Sequence, residues 1–289
     1  MGFFNIFKTK KRDNIVLKKH DKVKLGLALG GGATRGYGHI GALKAFEEYG
    51  IEFDFVAGTS AGSLVGALYS AGLSSSEIEG FGMDLTVKDI RTSKIAFVPS
   101  KTTGIQSVVK NAVGDINVEE LKKPFCAVAV DLKTGNEILI TKGNLAKAVA
   151  GSCAVPGVFA PVEFEGMNLA DGGLQNNIPS DVPRIFDCDY VIAIDVNSSR
   201  GSGTNSTGLI DTLLTSLSIL MKSSSFKGYM NADIIIKPDL KKYKSTKVDG
   251  KEEMIEEGYL ATIEKMPEIL NLISKKPDKK KKIYQPLKG

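Results

Sequence analysis

The chain has 289 residues, 42% of them hydrophobic, with a formal net charge of +5. It is long enough to bury a full core as one large domain, and no run of eighteen apolar residues is present to span a bilayer. Three cysteines without a Cys-x-x-Cys pair and only two histidines, His20 and His39, argue against a disulfide framework, a zinc site or a histidine-rich metal centre.

The charge is unevenly placed. Residues 1–24 carry eight Lys/Arg against Asp13 and Asp21, and residues 275–289 carry seven Lys against Asp278, so each end is +6 and residues 25–274 are left at −7. We therefore expect a basic tail over 1–23, a single domain over 24–274 and a second basic tail over 275–289. Phe3, Phe4, Ile6 and Phe7 beside Lys8, Lys10, Lys11 and Arg12 suit peripheral contact with anionic lipid. No nucleic-acid module is recognisable in either tail. The apolar start is short for a secretory signal, and Ile6 stands where N-myristoylation wants Ser or Thr. The expected setting is the reducing cytosol, with peripheral contact at the inner membrane surface.

In chain order, Lys24 to Leu29 reads as a buried strand running into Gly30-Gly31-Gly32-Ala33-Thr34-Arg35-Gly36, then a helix from about His39 to Tyr49 closed by Gly50. A second apolar strand ends at Gly58 and is followed by Thr59-Ser60-Ala61-Gly62 and a small-residue helix. This is a parallel α/β pattern with short connections. Helical pieces fall near Ser76-Glu77 and over Ile105 to Val113, with Arg91 to Pro99 as a surface connection or flap. Strands are expected over Phe125–Val130, Glu137–Ile140, Pro161–Phe164, Met167–Ala170, Tyr190–Val196 and Asp233–Lys237, and helices over Leu145–Ser152, Leu209–Met221 and Glu252–Ile273. Asn197 to Gly208 is a Ser/Gly-rich loop.

The chemistry concentrates at Gly58-Thr59-Ser60-Ala61-Gly62, a Gly-x-Ser-x-Gly in strand–turn–helix context. The tight turn needs Gly58 and Gly62 without bulk so that Ser60 is held as an exposed nucleophile. Its usual partner, a histidine later in the chain, does not exist, because none follows His39. His39 itself lies among apolar neighbours and reads as a packed side chain. The base must then be a carboxylate or a lysine. Asp171, which closes an apolar strand and precedes Gly172-Gly173, fits, and partial burial raising its pKa would make it a better base. Backbone N–H groups of Gly31, Gly32 and Ala33 could form the oxyanion site, with Arg35 supporting that loop. Gly36-Tyr37-Gly38-His39-Ile40-Gly41 matches a dinucleotide fingerprint literally, but it starts too far from the strand and lacks a placed ribose-binding acid.

Four segments together resemble the patatin-like phospholipase family, in particular its bacterial and neuropathy-target-esterase-like members. They are Leu27 to Gly36 with His39 to Leu43, Gly58 to Gly62, Ala150 to Phe159, and Asp171-Gly172-Gly173. The resemblance implies a three-layer α/β/α fold with a mostly parallel central sheet. It also implies a Ser60–Asp171 dyad without histidine, a glycine-rich oxyanion loop and hydrolysis of lipid acyl esters, with no cofactor and no metal. Ala33 and Thr34 depart from the pattern, standing where family members often carry glycine. A catalytically silent binding protein on the same fold is the reading from another class. A serine-directed fluorophosphonate separates the two.

Overall fold

The computed structural model describes residues 23–86, 99–198, 208–243 and 249–275. Both basic tails, apart from Val23 and Lys275, nearly all of the Arg91–Pro99 segment and most of the Asn197–Gly208 loop lie outside the described residues.

One eight-stranded sheet organises the molecule. Its strands are β1 (Leu25–Leu29), β2 (Phe55–Thr59), β3 (Phe125–Asp131), β4 (Glu137–Ile140), β5 (Val162–Phe164), β6 (Met167–Asp171), β7 (Tyr190–Ile194) and β8 (Ile234–Ile236). The order is β5-β6-β3-β2-β1-β7-β8, with β4 also paired to β3. From β3 to β8 along this order every pairing is parallel, while β4 and β6 both run antiparallel to β3. The central strands are apolar because both of their faces are covered. Leu27, Leu29, Val56, Ile192 and Ile194 pack into the larger core, and Ala28, Phe55, Ala57, Val191 and Ala193 point into the smaller one.

On the larger face lie α1 (Tyr37–Glu48), α2 (Ala61–Ser70), α5 (Leu145–Ser152) and α8 (Lys251–Ile273). Two further helices, α3 (Ser75–Asp84) and α4 (Thr103–Val113), contribute Ile78 and Ile105 with Val109 to the same core. On the other face lie α6 (Asp181–Ile185) and α7 (Leu209–Asn231). Phe46 and Leu43 of α1 are almost fully buried, each worth about 2 kcal/mol by removal from water. The result is the expected α/β/α sandwich.

The glycines of the rejected dinucleotide fingerprint serve this packing. Most of the motif lies inside α1, where a side chain on Gly41 would sit 1.8 Å from the Ile255 carbonyl of α8. One element expectation needs correction, and one short helix was not foreseen. Helix α7 continues ten residues past Met221, and Asp181–Ile185 forms a short helix around Pro183. The extension arises because Ser223 and Ser225 turn their hydroxyls back onto the Ile219 and Met221 carbonyls, so the serine run does not end the helix.

Candidate active site

Ser60 stands between the end of β2 and α2, where it is the N-cap, with φ 53° and ψ −124°. A positive φ is costly for any residue with a Cβ, and here surrounding contacts hold it. The Ser60 N–H donates to Ser152 Oγ at 2.9 Å, and Ser152 in turn donates to the Val128 carbonyl of β3 at 2.6 Å. Ser63 Oγ donates to the Ser60 carbonyl at 2.7 Å. Gly58 and Gly62 are required by close approach: a Cβ on Gly58 would lie 2.4 Å from the Gly62 carbonyl, and one on Gly62 would lie 2.1 Å from that of Leu29.

Asp171 arrives from the opposite direction. β6 runs antiparallel to β3, so its last residue pairs with Ala129, next to the Val128 that pairs with Thr59. The carboxyl is fully buried. Oδ1 accepts from Gly173 N at 2.8 Å, while Oδ2 is buried and makes no hydrogen bond among the described residues. Burial pushes the Asp171 pKa up from its ordinary 3.8 to about 6, against the Ser60 hydroxyl and the Gly173 N–H, which both hold it down. The fold thus brings Ser60 and Asp171 together.

The glycine loop occupies the same edge. Gly30 N donates to Ile194 O and Gly31 N to Asn177 O, each at 3.0 Å. Gly31 was among the expected oxyanion donors, but its N–H is already taken by the Asn177 carbonyl. The N–H groups of Gly32 and Ala33 have no protein acceptor among the described residues. Ala33, at the start of the 3₁₀ turn Ala33–Gly36, adopts φ 49°. This is the conformation that a glycine would take without cost, and Ala33 is exposed. Ala33→Gly should therefore raise stability by about 1 kcal/mol, read as a shift in the urea midpoint.

Arg35 acts on this loop through its partners. Its Nε and Nη2 donate to the Tyr243 carbonyl, and Nη1 donates to Asn197 Oδ1, whose amide then donates to Gly31 O at 2.9 Å. It braces the loop from behind. His39 does the same from below: its Nε2–H donates to Gly30 O at 2.8 Å, which puts a proton on Nε2. Complete burial lowers its pKa from 6.5 to about 4. Cys153 lies close to Asp171 and is 3.8 Å from Ser63 Oγ. Burial and then the charge of Asp171 push its thiol up to about 12, so it stays protonated and a poor nucleophile.

Three polar residues that the sequence reading did not single out complete the setting. Ser152 fixes the elbow. Asn177 links the loop to the Asp171 turn, for its buried Oδ1 lies where side chains on Gly31 and Gly173 would be, 2.6 and 3.0 Å away. Ser224 of α7 donates to Gly173 O at 2.8 Å and accepts from Asn177 N at 3.1 Å. Only the closeness of Asn177 to Gly172-Gly173 in sequence could have drawn attention to it. Among the described residues, no group of three or more His, Cys, Asp or Glu is placed to hold a metal ion, and no helix is long and apolar enough to cross a membrane. A surface hollow of about 540 Å³ lies at the far, amino-terminal edge of the sheet, lined by Lys24, Asp54, Phe125 and Phe186 among others. The length of β2 separates it from Ser60.

Residues 27–183, just over half of the chain, match the family model for patatin-like phospholipase. The chain belongs to the patatin-like phospholipase family. Its relatives include an uncharacterized NTE family protein of Mycobacterium tuberculosis, 34% identical over 181 residues, which are 61% of this chain and 50% of that protein. Patatin-like phospholipase domain-containing protein 7 of Rattus norvegicus is 36% identical over 184 residues, covering 60% of this chain and 14% of the rat protein. Neuropathy target esterase sws of Drosophila melanogaster is 31% identical over 193 residues, 64% of this chain and 14% of the fly protein. The chain thus matches half or less of the length of these relatives. Among solved structures, VipD from Legionella pneumophila superposes with a TM-score of 0.59 at 13% identity, over 86% of this chain and 67% of that one. That likeness is one of fold.

Proposed function

We propose that this patatin-like chain is a serine acyl hydrolase of lipid esters that works through a Ser60–Asp171 dyad. The observation that carries the reading is the pairing of a strained serine at a strand–helix elbow with a fully buried carboxyl of raised pKa. Two of the relatives are named as an esterase and a phospholipase-domain protein, which supports the substrate class.

In this reading Ser60 Oγ attacks the ester carbonyl carbon and Asp171 takes the hydroxyl proton. A carboxylate with a pKa near 6 is a stronger base than one at 3.8, yet still ionised at neutral pH. The developing oxyanion is held by the N–H groups of Gly32 and Ala33, while Gly31 keeps its bond to Asn177 and sets the loop. As the tetrahedral intermediate collapses, Asp171 returns the proton to the departing alcohol and an acyl ester on Ser60 remains. Water, deprotonated by Asp171, then attacks that ester, and as the intermediate collapses Asp171 passes the proton to Ser60 Oγ, releasing the fatty acid and restoring both groups.

A fluorophosphonate probe tests the proposal directly. The native chain should be labelled on Ser60, and an unlabelled, folded chain would favour the silent binding protein. A panel of phospholipids, lysophospholipids and neutral esters, read by product mass, then assigns the substrate. His39→Ala is the matching control for the absence of a triad. Losing a buried ring and its bond to Gly30 should cost about 2–4 kcal/mol. The folded variant should still hydrolyse a soluble ester within about tenfold of the native rate. Complete loss in the folded variant would reinstate histidine as the base.

A further inference from the structure

Helix α7 has two unlike faces. Inward, Ser224 holds Gly173 O and Asn177 N, Ser225 accepts from the Asn177 amide, and Met221 fills the space over Gly173, all within the turn that carries Asp171. Farther along, Lys227 pairs with Glu137 and Asp181, and Tyr229 donates to Asp195 at the end of β7. These contacts fix the helix against the catalytic edge.

Outward, the same helix presents large apolar side chains to solvent. Ile219, Phe226 and Met230 recur at the spacing of one helical stripe, with Leu213 and Leu220 seven residues apart alongside. Phe226 is 67% and Met230 86% exposed. An isolated exposed leucine needs no account, whereas Ile219, Phe226 and Met230 line one stripe, and Leu213 and Leu220 widen the exposed apolar surface about 100° round the helix. Between Thr212 and Asn231 the sequence has no acidic residue, and its only charges are Lys222 and Lys227. Lys237 stacks on the Tyr229 ring at 4.6 Å, and Phe226 meets that ring edge-on. Lys227 turns inward to Glu137 and Asp181, but exposed apolar and aromatic side chains beside Lys222 and Lys237, on a helical stretch that carries no acid of its own, are what the boundary of an anionic bilayer selects. The core of a protein interface is depleted of lysine as well as of acid, whereas here Lys222 and Lys237 stand beside the apolar side chains.

We propose that the outward face of α7 docks on an anionic lipid bilayer and so seats the Asp171 turn, held by the inward face, at the membrane surface. The docking deepens the lipid-hydrolase reading and rests on it for its purpose.

The test uses the full chain and vesicles of phosphatidylcholine with and without phosphatidylglycerol. Native protein should pellet with the phosphatidylglycerol vesicles. The Leu220→Ser/Phe226→Ser/Met230→Ser variant should lose roughly a hundredfold in apparent affinity. Its turnover of a soluble short-chain ester should stay within about twofold of native, which also certifies its fold. The chain contains no tryptophan, so Phe226→Trp installs a single reporter whose emission should shift to the blue on those vesicles. A native chain that does not pellet, a triple variant that binds like native, or an introduced indole that stays in water while the protein is bound would each overturn the proposal. So would a native dimer that the triple variant converts to monomer without any vesicle binding, which would make this face a subunit contact. Failure of the hydrolase reading is visible separately, as a native chain that pellets normally but turns over no ester.

Discussion

Ser60→Ala should lower ester hydrolysis by about 10⁴-fold or more while the protein remains folded. The loss should appear in kcat, because the hydroxyl makes the bond to the acyl carbon and does not hold the substrate. The fold survives because the elbow is fixed by main-chain groups: the residue-60 N–H to Ser152, and the residue-60 carbonyl to Ser63. Neither bond involves the hydroxyl. Removing that hydroxyl also removes one of the two groups holding the Asp171 pKa down, so the carboxyl of the variant should titrate higher than in the native chain. Labelling by a fluorophosphonate should vanish together with turnover. Retained turnover in Ser60→Ala would move the nucleophile elsewhere and end the dyad reading.

Asp171→Asn should produce a comparable loss of activity, about 10³-fold or more, accompanied by a gain in stability. The folded carboxyl ionises near pH 6, whereas an unfolded aspartate does so near 3.8. Between these values the native state holds the extra proton, so stability falls as pH rises through the window, by roughly 3 kcal/mol in all. His39 has the opposite slope. Its ring protonates near 6.5 when unfolded and only near 4 when buried, so stability falls as pH drops through that range, by a similar amount. From about pH 4 to 6 the two effects oppose each other in the native chain. The asparagine variant removes one of them. Its melting temperature should exceed that of the native protein at pH 8 and fall more steeply on acidification from pH 6.5 to 4. Native activity should decline below about pH 6 as Asp171 becomes protonated. A variant that is less stable at pH 8, with an unchanged acid slope, would show that Asp171 is not held in the strained ionised state.

Much of this site could be read from residue types alone. Ser60 between Gly58 and Gly62 needed only the pattern of a buried strand, a tight turn and a helix. Asp171 followed from the absence of any later histidine, since removing the usual base left few candidates at strand ends. What the sequence did not disclose depends on distant contacts. Whether Gly31 can donate to an oxyanion is decided by the Asn177 carbonyl, which lies far along the chain. The full length of α7 was hidden because three consecutive serines look like a loop, while the helix turns two of their hydroxyls back onto its own carbonyls. The short helix at Asp181–Ile185 was obscured by Pro183, which the first turn of a helix tolerates. Ala33 was visible as a departure from a glycine pattern, and its positive φ gives that departure a physical cost.

The antiparallel entry of β6 bears on how the protein acquires its chemistry. Ser60 and Asp171 lie 111 positions apart in the sequence, and they meet only after β3 has found both β2 and β6. Parallel crossovers between distant segments form slowly, because a long loop must close before its contacts reward it. The elbow takes its Ser152 brace from α5 and its proposed base from β6, so both depend on later segments of the chain. A partly folded chain would then lack both the braced serine and its proposed proton acceptor, so the pair we propose as reactive comes together only with the completed sheet.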